Sequence, residues 1–482
     1  MTLRTIVTGA GTLTAGRTLS QALALARHVI IGRLLSPHDL GIAALLMVTS
    51  AMLELMTQFS VDKLLVQASD GDEAPLQGAA QLFLSARGVV MGIAALVLAT
   101  PLAGLFDIPE AAWAFAAFGA APIIAGLRHL DCKRAHRDGR FLPDMVVEVV
   151  PQAIVTAAAW PVIAGIGGYA GVLWLLVLKA ALGTAMSHAV ASRSYGWSWS
   201  VAPIRRILLF GWPLLMGSAL LFLVTQGDQL IVGSGYSMHT LGLYAVAATI
   251  ALALGTMIAS VSSTLMLPVL AARSDDRDAF ARAHASSVVA HALLAAAVGI
   301  ALIASGSAIV ETLYGARYAP AGGLLGWLAV MQAVRLMRVS PTVACVARAD
   351  TISPMIANVC RAAVLPAAVG VAAAGLGLVW IIVVGVAGET LALVVLGFRA
   401  RRKHGIDVVP TFAATAVLLA VFGIVMSGTA VLGPVPGVAA AGVLAIGIAT
   451  LGFVARDRWA RPAAAFRWIP AAPDAVGSQE AA

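Results

Sequence analysis

Long apolar stretches, each closed by a short polar or turn-forming break, follow one another along this chain from residue 9 to residue 455. Fourteen are countable: 9–32, 41–66, 79–105, 111–130, 142–165, 168–192, 205–232, 241–271, 284–312, 321–345, 352–374, 376–398, 410–430 and 435–455. A helix needs about 20 apolar residues to cross a bilayer, and these runs have that length. They do not alternate with period two, so a membrane β-barrel is excluded. The breaks fall at Ser36-Pro37, Asp70 to Asp72, Asp107 to Pro109, Arg137 to Gly139, Gly167-Gly168, Ser274 to Asp276, Gly315 and Arg401 to Lys403, where glycine, proline and charge stop a membrane helix. The pattern predicts an all-α polytopic membrane protein with about 14 transmembrane helices.

One stretch of this pattern occurs twice. Residues 16–41, GRTLSQALALARHVIIGRLLSPHDLG, return as 217–242, GSALLFLVTQGDQLIVGSGYSMHTLG, at an offset of 201 without a gap. Gly32, Ser36, His38, Leu40 and Gly41 reappear as Gly233, Ser237, His239, Leu241 and Gly242. A second echo pairs GVLW at 171–174 with GLVW at 377–380, opening the sixth and twelfth segments. The chain therefore reads as a duplicated unit of about 200 residues. Each copy holds six segments, an even number, so both copies enter the membrane from the same side as parallel repeats. The predicted divisions are 1–200 (helices 1–6), 201–403 (helices 7–12), 404–460 (helices 13 and 14, without counterpart in the repeat) and a disordered tail over 461–482.

Composition agrees: 60% of the residues are hydrophobic and 11% charged, against about 25% charged in a soluble domain. The net charge of +8 does not point to nucleic acid, because it is sorted by loop. Alternate loops carry Arg128, Lys133, Arg134, Arg137 and Arg140; Arg193, Arg205 and Arg206; Arg273, Arg277 and Arg282; Arg348; and Arg399 to Lys403, while the opposite set holds little beyond Arg33 and Arg317. By the positive-inside rule both termini are expected in the cytoplasm. The ALALA run at 22–26 imitates a signal-peptidase site, but the Gly/Thr-rich stretch before it, with Arg17, marks an uncleaved first helix. Cys132, Cys345 and Cys360 show no metal or disulfide spacing, nor do His28, His38 and His239.

Charges inside apolar helices are costly and so mark candidate functional positions. In the first segment Arg17, Ser20, Gln21, Ala24, Arg27 and His28 fall within an arc of about 120° and include no carboxylate. Each arginine can be read as lining a cavity or as snorkelling to its nearer interface. The repeat sets Arg27 and His28 against Asp228 and Gln229, so Arg27 and Asp228 either pair across the axis or each find another partner. Glu54 and Gln58 share a face of the second segment as cavity or gating groups. Gln332, Arg335 and Arg338 recur at turn spacing in the tenth and form a candidate anion site. Lys179 and Glu389 read as bundle-internal ion-pair or headgroup contacts. No phosphate loop for ATP, no soluble catalytic domain and no interrupted selectivity filter is present, so the chain is not read as an enzyme or a channel.

Gly32 to Ile42 (GRLLSPHDLGI), Asp228 to Gly233 (DQLIVG) followed by LGLYA at 241–245, and the basic turn before Phe141 resemble the polysaccharide-transporter family, the Wzx-type oligosaccharide flippases of the multidrug/oligosaccharidyl-lipid/polysaccharide (MOP) exporter superfamily. The resemblance implies two six-helix lobes in a V-shaped MOP/MATE-like fold with two extra C-terminal helices, and alternating access. It implies an undecaprenyl-diphosphate-linked oligosaccharide as substrate, for O-antigen, capsule or exopolysaccharide synthesis, with polymerase or export proteins as partners. A basic cavity is then expected, matched by Arg17 and Arg27, with Arg335 and Arg338 as further cations and Gln21, His28, Glu54, Gln58, Asp228 and Gln229 as polar or gating groups. No cofactor or metal is implied; coupling to H+ or Na+ is left open. The alternatives are a cation-coupled drug antiporter of the same superfamily, a lipid II flippase and a scaffold for synthesis enzymes.

Overall fold

The computed structural model describes the backbone of residues 3–56, 59–137 and 139–432, and within those ranges the side chains from Gly16 to Ser427 except Arg17 and Met56. These residues form helices and turns, with no strand among them. A bilayer offers the backbone no water, so every N–H and C=O must be satisfied within its own helix. The first half contains α1 (Leu3–Leu34), α2 (Pro37–Met56), α3 (Val61–Gln67), α4 (Ala74–Leu105), α5 (Ala112–Phe118), α6 (Ala120–Gly126), α7 (Asp131–Arg137), α8 (Leu142–Ile166) and α9 (Gly168–Ala189). The second contains α10 (Val201–Gly235), α11 (Met238–Ala271), α12 (Arg277–Tyr314), α13 (Ala321–Ala347), α14 (Ile352–Ala362), α15 (Leu365–Ala373) and α16 (Leu378–His404), followed by α17 (Val409–Leu432).

Thirteen of the predicted segments coincide with helical chain; the fourteenth, 435–455, and the 461–482 tail lie outside the described residues. Three segments are broken. The 41–66 segment becomes α2 and α3, with Ser60 in the left-handed region at φ 49° ahead of α3. The 111–130 segment becomes α5 and α6, which meet at Gly119. The 352–374 segment breaks where Pro366 enters the first turn of α15, since proline has no N–H with which to continue the ladder. Among the described residues, ten helices are long and apolar enough to span a membrane, or eleven if the bent pair over Pro109–Gly126 and Asp131–Arg137 counts as one. Neither α1 nor α13 is among the ten; these are the helices that carry Arg27 and Arg335/Arg338.

The two copies of the repeated motif meet. Helix α2 packs on both α10 and α11. A Cβ added to Gly41 would collide with the Met238 carbonyl, and one added to Gly242 would collide with the Pro37 carbonyl. Pro37 and Met238 are themselves equivalent at the 201-residue offset, so the contact is reciprocal, as a two-fold relation between the copies requires. Only glycine permits backbones to cross this closely. Around the crossing lies one buried cluster built from both halves, including Ile31, Leu40, Leu45, Val246, Tyr244 and Tyr314. Arg317 Nη1 and Tyr318 Oη donate to Leu35 O at 3.0 and 3.1 Å, satisfying a carbonyl left over at the end of α1. Three smaller apolar clusters lie away from the crossing. Two lie within the second half, and one joins α3, α4 and the start of α10. The halves are thus sealed at the end where the motifs turn, opposite the basic loops.

Candidate functional site

Below the seal, α1, α2, α10 and α11 enclose a cavity of about 470 Å³. Its wall takes Thr18, Gln21, Ala24, Arg27 and His28 from α1, Ala44, Met47 and Val48 from α2, Gln226 and Gln229 from α10, and Ala245, Ala248, Thr249, Leu252 and Thr256 from α11. Gln21, Ala24, Arg27 and His28 of the stripe face this space, while α8 covers the neighbouring face of the same helix. Arg27 is the one charged residue on the wall among the described residues.

Arg27 Nη1 donates to Gln152 Oε1 of α8 at 3.1 Å, and Gln152 is buried. No carboxylate pairs with Arg27 among the described residues. The partner offered by the repeat is engaged elsewhere: Asp228 Oδ2 accepts from Tyr244 Oη at 2.5 Å and its Oδ1 from Gln229 N at 2.8 Å. The Arg27–Asp228 pair is therefore not formed in this structure. A neutral amide offsets a guanidinium less than a carboxylate does, and the cavity keeps an uncompensated positive charge. His28 ties the halves together above it, Nδ1 lying 3.1 Å from Tyr314 Oη and Nε2 3.2 Å from Thr249 Oγ1.

Of the remaining sequence candidates, Gln21, His28 and Gln229 share the wall with Arg27. The Arg17 side chain and Gln58 lie outside the described residues. Glu54 is exposed on α2 and is not on the wall. Arg335 and Arg338 correct the expectation of a second set of cavity cations: they are turned into the second half, onto Glu389 of α16. Arg335 Nε and Arg361 Nε stand 2.7 Å from Glu389 Oε1, and Arg338 Nε stands 3.3 Å from Oε2. Glu389 is fully buried. Arg338 also donates to Asn358 Oδ1 at 2.9 Å, and Arg361 to Val224 O of α10 at 2.6 Å. Three guanidiniums around one carboxylate bind α13, α14 and α16 together and reach α10. Glu389 is the bundle-internal ion-pair residue its position suggested; Lys179 is exposed on α9. Arg361 and Gln152 escaped the sequence reading, although an arginine in the middle of an apolar segment was itself the available signal.

At the basic end each half has a buried aspartate bracket outside the spans. Asp131 takes Arg134 Nε at 2.7 Å and Ser192 N at 2.8 Å. Asp350 takes Ser353 Oγ at 2.6 Å and His404 Nε2 at 3.0 Å. Burial alone would raise both carboxyls, but these donors outweigh it and hold both well below the usual carboxylate range.

The geometry has relatives. Residues 30–322 match the family described as "Polysaccharide biosynthesis protein". No curated protein sequence matches the chain. Among solved structures it is similar to the lipid II flippase MurJ in an inward closed conformation, with a TM-score of 0.70 at 12% identity over 92% of this chain and 98% of that one. It is also similar to a MATE family transporter of the MOP superfamily. For the inward-facing form the TM-score is 0.63 at 15% identity over 80% of this chain and 94% of that one. For an outward-facing form it is 0.53 at 16% identity over 81% and 93%. The chain belongs to the polysaccharide biosynthesis protein family and has the fold of the MOP superfamily.

Proposed function

We propose that this chain is a transporter that moves an undecaprenyl-diphosphate-linked oligosaccharide from the cytoplasmic to the periplasmic leaflet of a bacterial inner membrane, for O-antigen, capsule or exopolysaccharide assembly. The observation that carries the reading is Arg27, a guanidinium whose partner among the described residues is an amide, on a cavity wall with no other charge among those residues. A diphosphate cannot enter a low-dielectric space without a compensating cation, and arginine offers it a bidentate, permanently charged donor. The seal at the motif end and the higher similarity to the inward-facing than to the outward-facing transporter support a cavity reached from the cytoplasm. Residues 1–200 and 201–403 are proposed to rock as two lobes about the Gly41/Gly242 crossing, with both termini cytoplasmic and Arg17 as a second cation on the path. The sugar is proposed to stay in the cavity while the lipid tail remains in the bilayer.

A lipid II flippase reading shares this chemistry, and the similarity to MurJ favours it as the second choice. The deciding experiment deletes the gene and asks in which leaflet the lipid-linked oligosaccharide accumulates. Accumulation in the cytoplasmic leaflet, rescued by wild type but not by Arg27→Ala, is the expected result. Normal polymer export with altered drug sensitivity would overturn it in favour of a drug antiporter. A block in peptidoglycan synthesis instead would favour lipid II.

A further inference from the structure

A second cavity, sharing no residue with the first, lies at the basic end of the second half. It measures about 290 Å³, at the bottom of the range for small-molecule sites, so it suits a headgroup rather than an oligosaccharide. Arg277, Arg282 and His284 come from the first two turns of α12, Arg348 from just beyond α13, and Asp407 from the turn into α17. Val288, Ile406 and Ala414 add apolar lining.

Two of these side chains are held as if for an absent partner. His284 is 3% exposed and its Nε2 meets no hydrogen-bond partner. The Arg348 guanidinium lies 4.3 Å over the Phe280 ring, and its Nε is buried without a hydrogen-bond partner. Stacking occupies the face of a guanidinium and leaves its in-plane N–H groups available, the edge that binds phosphate. Buried donors left unpaired are expensive, and each asks for an explanation. The N-terminus of α12 does not supply the site, since Asp276 already accepts from Asp278 N and Ala279 N. The lining also holds two carboxylates, Asp278 and Asp407. Three arginines against two aspartates leave little net field for a bare anion, and Asp278 offers a place for a cation.

We infer that this cavity binds a phosphate carrying a nearby ammonium, the chemistry of a phosphoethanolamine headgroup. Arg348 and Arg282 hold the phosphate with His284 as a neutral donor, and Asp278 meets the ammonium. The site stands at the end of the spans bearing the basic loops.

The test is thermal unfolding of the full chain, purified in maltoside free of phospholipid, with dihexanoyl-phosphatidylethanolamine, free phosphoethanolamine, dihexanoyl-phosphatidylglycerol and dihexanoylglycerol. Stabilisation by the ethanolamine lipid is expected, with Arg348→Gln weakening its apparent affinity by about 10- to 100-fold, as loss of a charged hydrogen bond does. Arg282→Gln, on an exposed rim position where folding is not at stake, is expected to weaken it in the same direction. Protection by free phosphoethanolamine as well identifies a soluble ligand as sufficient; protection by the lipid alone identifies the membrane as the source. Equal protection by phosphatidylglycerol or dihexanoylglycerol, unchanged affinity in both variants, or no protection by any probe overturns the inference. None of these outcomes depends on what the central cavity transports.

Discussion

Arg27 and the Arg335/Arg338/Arg361 group are the same side chain in two opposite settings. Arg27 faces a cavity with Gln152 as its hydrogen-bond partner. The other three converge on the fully buried Glu389. An arginine in a membrane helix is therefore not a substrate contact by type. What decides is whether the fold has already spent its charge on a carboxylate. The first half keeps a cation in reserve, whereas the second consumes its cations in bracing α13, α14 and α16.

Substitutions can break this contrast. The largest effect belongs to Glu389→Gln, which leaves three partly buried guanidiniums facing one another. Removing one partner of a buried charge group costs about 3–5 kcal/mol, and a fall in the unfolding midpoint and in folded yield will show it. If Glu389→Gln leaves stability unchanged, the cluster is not a brace. Arg27→Gln is expected to do the reverse. Transport should fall by about 10- to 100-fold as a charged hydrogen bond to the substrate is lost, with the unfolding midpoint held or raised, because a desolvated cation has gone. Leaflet assay and melt on the same preparation separate the two sets of arginines. Between them stands the seal: Gly41→Ala or Gly242→Ala is expected to cost about 1–3 kcal/mol by overpacking. The pair should be non-additive, since both residues share one crossing; accessibility labelling of the motif end would report it.

The smallest effect is a pH dependence. The Asp350 carboxyl sits below its ordinary value in the folded chain, so the unfolded state binds the proton first. The bracket then contributes stability above an unfolded pKa of about 3.9 and loses it as the pH falls below that. Asp350→Asn should flatten the acid limb of the melting midpoint relative to wild type. An identical acid limb in both proteins would remove the bracket from the account.

Much of this was legible along the chain. Thirteen apolar runs fall on sixteen of the seventeen described helices, the 201-residue offset located the crossing, and Gln21, Ala24, Arg27 and His28 of the polar arc face the cavity as amphipathicity demands. Gln21, Arg27 and His28 could be grouped because helical period alone brings them together. The Glu389 cluster could not, because its arginines come from α13 and α14 and no period relates these helices to α16. Turn spacing made Arg335 and Arg338 look like cavity lining; it fixes that they share a face but not which neighbour the face meets. Arg27 and Asp228 matched by repeat, yet Tyr244, sixteen residues further along the same half, takes the aspartate.

The crossing also bears on how the duplication has aged. Gly41 and Gly242 are each confined by the backbone of the other copy, so a side chain gained at this crossing in either copy is felt in both. Elsewhere the copies answer to separate neighbours and are free to diverge, as Arg27 and Asp228 have done. The ancestry of this chain is written most clearly where its two descendants still touch.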